Sequence, residues 1–303
     1  MQNKRLEMKK TKGSIMLLFA AFFWGTTFVA QTTASDQIGT FTFNGSRSIV
    51  GAAFLALLIL ARTGMKKQKA KVSGEPVEKE SIKRTVIGGI LCGCVLFFAT
   101  NLQQSGIAAY PEGVASSGRS GFLTATYVVM VAIVSGLLGK KLHKIVYVAV
   151  FVCLGGMYML CMSGGIDNLY FGDLLGLLCA VCFTGHILAV DHFNDCDSVK
   201  ISCIQFITNG VLSLICMAIF EQPAWSDLAA AWFPILYAGI FSSGIAYTLQ
   251  IAGQKYADPA VASIVMSLES VFAVLGGFVV LHEVLAPREI CLLYTSDAAD
   301  DRI

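Results

Sequence analysis

Apolar residues run along this chain in nine uninterrupted blocks of about 19 to 25 residues, separated by short polar stretches. The blocks cover residues 14–33, 41–61, 86–105, 114–138, 145–163, 172–190, 199–219, 231–251 and 260–281. At a helical rise of about 1.5 Å per residue, each is long enough to cross a hydrocarbon core of about 30 Å. A β-barrel would instead need strands of about ten residues with apolar and polar positions alternating. The run 151–162 is apolar on every face, so the pattern predicts an all-α membrane protein.

Composition strengthens this reading. Of 303 residues, 55% are hydrophobic and 14% charged, with a mean hydropathy of +0.69, whereas soluble domains carry about 25% charged residues. The net charge of +2 gives no sign of a nucleic-acid partner, because the basic residues sit in short loops rather than in a stripe. With the N-terminus placed in the cytoplasm, Lys4, Arg5, Lys9, Lys10 and Lys12 precede the first block. Eight more lie in 62–84, and Lys140, Lys141, Lys144, Lys200 and Lys255 follow in later loops on the same side. The opposite loops contribute only Arg288, so the positive-inside rule predicts a multi-pass protein of the inner (plasma) membrane with a cytoplasmic N-terminus. A cleaved signal peptide is a poor account of the start, since the first block is followed by eight others. The segment 62–84 is expected to be a mobile cytoplasmic linker that fixes topology. Eight of the ten cysteines fall within apolar blocks and behave as small hydrophobes. The CxxC of Cys179 and Cys182 has no second pair or zinc-spaced histidine, so no metal or cofactor is expected.

The chain also resembles itself. At an offset of 147, Asn101–Gly106 aligns with Thr248–Gly253, and Val114-Ala115-Ser116 aligns with Val261-Ala262-Ser263. That gives six identities in sixteen positions, across a join between two blocks in both copies. An offset near 159 sets the first block over the sixth. Paired blocks are five apart, and an odd-numbered repeat inserts its copies in opposite orientations, as in secondary transporters with a site at the repeat interface. The fold expected is a ten-helix inverted-repeat bundle of five plus five. The halves would be 1–163 and 164–290, the second lacking its tenth helix. The tail 291–303 reads as a translated sequencing-library adapter rather than native protein.

Several segments resemble the EamA-type branch of the drug/metabolite transporter superfamily. They are Phe23-Trp24-Gly25-Thr26-Thr27-Phe28, Arg47, Gly118–Thr124 leading to Tyr127-Val128-Val129, Leu249-Gln250, Gln254-Lys255, Ser267–Ala273 and Leu281-His282-Glu283. The resemblance spans about 14–290 and implies secondary active transport, with export of a small metabolite or drug by alternating access. One departure stands out. Ser270 occupies the position after Glu269 where the family usually has proline, which is expected to straighten a helix that proline would kink.

Ionisable groups inside the blocks are costly in hydrocarbon and are the first candidates for function. Glu269 lies about 14 Å deep, too far for its short side chain to reach water, and must face protein or a cavity. There it could couple protons or make a structural hydrogen bond. Arg47, some six residues in from the outer end of its block, could snorkel to water or face the interior. Arg119 sits among Ser116, Ser117, Gly118, Ser120 and Gly121, small enough to leave a cavity or to pack helices closely. Its guanidinium fork suits a carboxylate or phosphate. His186, about four residues from the cytoplasmic end of its block, reads as interfacial, with a proton relay as the alternative. Asp173 opens its block as a cap. The symmetry-related Gln103 and Gln250 are cross-helix bonds or cavity lining, and Trp24 and Tyr127 are candidates to line the same cavity.

Other classes fit less well. His282-Glu283 begins a zinc-protease motif, but Ala286 stands where HExxH needs its second histidine. No enzymatic activity is expected. A channel would show rings of repeated polar residues. A membrane sensor or scaffold, or an intramembrane enzyme without transport, is the alternative to a transporter. The expected partners are a small-molecule substrate, the lipid bilayer and protons as coupling ion, with a homodimer left open.

Overall fold

The computed structural model describes residues 2–73, 81–140, 142, 144–161 and 169–283. Among these the chain is helical throughout, and eight helical segments are long and apolar enough to cross a membrane. In chain order the helices are α1 (Gln2–Ser35), α2 (Thr40–Ser73), α3 (Ile82–Ala108), α4 (Ser116–Ala125), α5 (Tyr127–Leu137), α6 (Lys144–Cys161) and α7 (Phe171–His192). Then follow α8 (Ser198–Phe220), α9 (Trp225–Ala230), α10 (Trp232–Tyr237), α11 (Tyr247–Gln254), α12 (Pro259–Met266) and α13 (Glu269–Gly276). Two stretches of π-helix, Ala238–Ala246 and Gly277–Leu281, extend α10 into α11 and continue α13. Starts are set by local chemistry. Asp197 caps α8 by accepting from Val199 N and Lys200 N, and Pro259 opens α12, where a missing N–H costs nothing.

Two expectations change. Helix α2 continues to Ser73, so most of the supposed linker is helical backbone; only 74–80 lie outside the described residues, as do the 284–303 tail and any tenth span. The serine in place of proline does not straighten the last span, which breaks between α12 and α13 at Ser267 and Leu268. Serine hydroxyls hold the break: Ser267 Oγ donates to Ile264 O at 2.7 Å and Ser270 Oγ to Ser267 O at 2.8 Å. Such back-bonding bends a helix without any ring. The block 114–138 breaks in the same way at Thr126, whose hydroxyl donates to Leu123 O at 2.6 Å.

Eight spans form a closed ring, in which α8 packs on α3, α3 on α7, and α7 on α4 and α5. The ring continues with α4 on α13, α13 on α1, α1 on α11, the π-helical stretch before α11 on α2, and α2 back on α8. Helix α6 lies outside it, against α5 and α12. Thr32 near the end of α1 meets Ser117 at the start of α4 (2.9 Å), and α4 is tied to the start of α7 through Arg119, so α1 and α7 run in opposite directions. The repeat is visible in matching joints. Gln104 Nε2 on α3 donates to Gln31 O of α1 at 3.0 Å, and Gln254 Nε2 on α11 donates to Ile187 O of α7 at 3.2 Å. In both glutamines Oε1 is buried without a partner. The joints lie at opposite ends of the ring.

Polar side chains bind the spans wherever they meet in the apolar interior. Asn44 on α2 donates to Thr100 O and to Asn101 Oδ1 on α3, Asn101 donates to Ser213 on α8, and Asn209 donates to Ser48 and Thr100. Glu221, at the end of α8, accepts from Phe41 N, Thr42 N and Thr42 Oγ1, capping α2 from across the sequence. Glu283 Oε1 likewise accepts from Ser117 N at the head of α4, so the abortive zinc motif supplies a cap. At the end assigned to the cytoplasm, Arg84 binds Asp195 at 2.8 Å and holds its carboxyl below the usual carboxylate range.

The strongest of these ties is buried. Arg119 Nε and Nη2 donate to Asp173 Oδ1 and Oδ2, each at 2.6 Å, with both side chains almost fully enclosed. Tyr110 Oη also donates to Oδ1, the Tyr170 N–H to Oδ2, and the Tyr170 ring lies 4.9 Å from the guanidinium. Removing one member strands the other charge, so Arg119→Met should cost about 3–5 kcal/mol of stability, and Arg119→Met with Asp173→Asn should recover part of it, read as melting in detergent. Gly25 marks the closest approach of α1 to α13. A β-carbon there would meet Phe272 Cβ at 2.3 Å and Glu269 O at 2.7 Å. Gly25→Ala should therefore force the helices apart and lower stability by about 1–3 kcal/mol in the same measurement.

Candidate functional site

The ring encloses a narrow cleft with about 20 Å³ of space for water-sized occupants, room for about one water molecule. Its space is finely divided between side chains, a tight cleft rather than an open vestibule. Every span of the ring except α8 contributes to the wall. From α1 come Trp24, Thr27, Phe28 and Gln31, one turn apart along a single face, as residues three and four apart must be. Opposite and around them stand Arg47, Gln103, Tyr127, Phe183, Ile187, Ser242, Tyr247, Gln250, Met266 and Glu269. The interruptions bring two of these to the wall. Tyr127 is the first residue after the Thr126 break and Glu269 the first after the Ser267–Leu268 break.

Of the residues singled out from sequence, Glu269, Arg47, Gln103, Gln250, Trp24 and Tyr127 meet around this one cavity. Arg47 is 2% exposed, and among the described residues its guanidinium makes neither ion pair nor hydrogen bond. The Phe43 ring lies 5.3 Å from it, and Tyr247 is close enough to interact with its charge. It therefore does not snorkel, because α2 turns it toward the interior. Glu269 is 4% exposed and makes no ion pair with Arg47. It faces the Tyr127 hydroxyl at a separation that leaves Glu269 Oε1 and Tyr127 Oη without a closed hydrogen bond. Trp24 Nε1 and Gln250 Oε1 are also buried and unpartnered. Gln103 accepts from Gln31 Nε2 at 3.0 Å and donates to Thr124 Oγ1 at 3.2 Å, so it braces the wall it lines.

Two candidates lie elsewhere. Arg119 is engaged by Asp173, which caps α7 as expected and also holds this charge. His186 is fully buried, not interfacial, because α7 runs on to His192 and Tyr247 and Gln205 cover the ring. Its Nε2 lies 3.1 Å from Gln205 Oε1. Tyr247 separates it from the cavity, with its own ring set edge-on to Trp24 at 4.8 Å.

Sequence reasoning passed over Gln31, Thr27, Phe28, Ser242, Tyr247 and Met266. Gln31 could have been found by asking which amides, and not only which charges, interrupt an apolar block. The aromatic and apolar wall residues carry no such signal, since the same side chains face lipid elsewhere.

The EamA-like transporter family matches the chain twice, over residues 11–162 and 170–296. A protein of Archaeoglobus fulgidus named as an uncharacterized transporter is 26% identical over 282 residues, covering 92% of this chain and 82% of its own. The uncharacterized transporter YoaV of Bacillus subtilis is 24% identical over 275 residues, 88% of each chain. One solved crystal structure superposes with a TM-score of 0.71 at 19% identity, covering 95% of both chains, a likeness of fold. With two matched segments that together take in nearly the whole helical bundle and both sides of its cavity, this chain belongs to the EamA-like transporter family.

Proposed function

We propose that the protein carries a small polar metabolite out of the cell by alternating access, with the ring cavity as the binding site. The observation that supports this most is the set of buried, unpartnered polar groups around one cavity, from Trp24, Arg47, Tyr127, Gln250 and Glu269. Groups of both signs left unsatisfied in an apolar interior are destabilising unless a ligand completes them. The matching joints Gln104 to Gln31 and Gln254 to Ile187 are both closed, as suits a state sealed at both ends. Glu269, midway along its span and next to Tyr127, is the group proposed to couple transport to protons by alternating between its neutral and ionised forms.

Orientation and coupling are tested separately. Cysteines introduced at residues 66–80 and at 167, in a background without native cysteines, should react with an impermeant thiol reagent only from the cytoplasm and only from outside, respectively. Labelling of 66–80 in intact cells would reverse the topology. Once a metabolite comparison of cells with and without the protein has named the solute, purified protein in vesicles gives the coupling result. Glu269→Gln keeps shape and hydrogen bonding but cannot ionise; it should bind the solute and lose transport driven by a pH gradient. Wild-type gradient-driven transport would remove Glu269 from coupling.

A further inference from the structure

Two arginines are buried inside the ring of spans, and only one has a counter-ion. Arg119 is held bidentately by Asp173, with the Tyr170 ring on its face. Arg47 is just as enclosed, yet among the described residues it has the Phe43 ring and the neutral Tyr247 phenol near it and no counter-ion, and its Nε has no acceptor. Glu269, which lines the same cavity, is not paired with it. A guanidinium withdrawn from water and given no anion is costly, a cost that an arriving anion would relieve.

Resting on the transport reading above, we propose that Arg47 is the docking group for a carboxylate on the transported solute, which is a small monoanionic organic acid with an apolar body. The planar fork of an arginine matches the two oxygens of a carboxylate. Trp24 Nε1, unpartnered in the lining of the same cavity, is a second donor for such an anion. The wall supplies one permanent cation, Arg47, and one carboxyl, Glu269, so a single negative charge is balanced when Glu269 is in its neutral form. A phosphate monoester, close to doubly charged, would bring a charge that nothing there offsets. The rest of the lining decides the body of the solute: Trp24, Phe28, Tyr247 and Met266 offer aromatic and thioether faces suited to an apolar group.

The test is thermal stabilisation of the purified full chain in detergent, since a ligand that binds the folded state raises the melting temperature. The probes are hexanoate and phenylacetate, their primary amides, phenyl phosphate and benzylamine, each at the same millimolar concentration. The two carboxylates should raise the melting temperature, while the amides, the phosphate and the amine should not. Arg47→Gln should abolish the carboxylate shift. Arg47→Lys keeps the charge without the fork and should retain a weakened shift, which guards against a variant that merely misfolds. Equal shifts from acids and amides, a shift from phenyl phosphate or benzylamine alone, or no shift from either carboxylate would overturn the proposal. The transport reading is judged apart, by the metabolite comparison and the vesicle assay. A neutral or cationic solute carried equally well by Arg47→Gln would leave transport standing and remove the carboxylate.

Discussion

A polar group in hydrocarbon has no water to turn to, so its partner must come from the protein itself. That requirement shapes this bundle more than any apolar contact. Asn44, Asn101 and Asn209 bind α2, α3 and α8 together, Arg119 and Asp173 fasten α4 to α7, and Glu221 and Glu283 cap helices far from them in sequence. Against that background, buried polar atoms without a partner recur in several places, and five of the residues that carry them, Trp24, Arg47, Tyr127, Gln250 and Glu269, share one cavity. Their grouping around one cleft is what the proposed binding site rests on.

The spans were legible in the sequence because the bilayer imposes length and apolarity residue by residue. The deep charges were legible for the same reason: Glu269 and Arg47 are conspicuous where almost everything around them is aliphatic or aromatic. What one sequence could not reveal was who faces whom. Arg119 and Asp173 each drew notice separately, one as a ligand contact and one as a cap, yet 54 residues separate them and only the fold joins them. His186 looked interfacial because depth was counted along its own helix, whereas burial depends on the neighbouring helices.

The repeat was legible in part. An offset of 147 pairs Gln103 with Gln250, and both line the cavity. The glutamines with equivalent bonds are instead Gln104 and Gln254, one helical turn out of that register. Sequence identity followed the lining, and the hydrogen bonds followed the backbone. The offset thus pairs the glutamines that line the cavity and not the ones that make the two similar bonds.

The absent proline has a further consequence. A pyrrolidine ring makes a bend permanent, because the lost N–H can never return to the ladder. At Thr126 and at Ser267 to Ser270 every residue keeps its N–H, and the hydroxyls share carbonyls with backbone donors, as Leu123 O also accepts from Thr126 N and Ser267 O from Ser270 N. Each bend therefore keeps the amides that a straight helix would need, so the segments that follow the breaks, one starting with Tyr127 and the other with Glu269, are joined to the rest of their spans by a backbone that no ring locks.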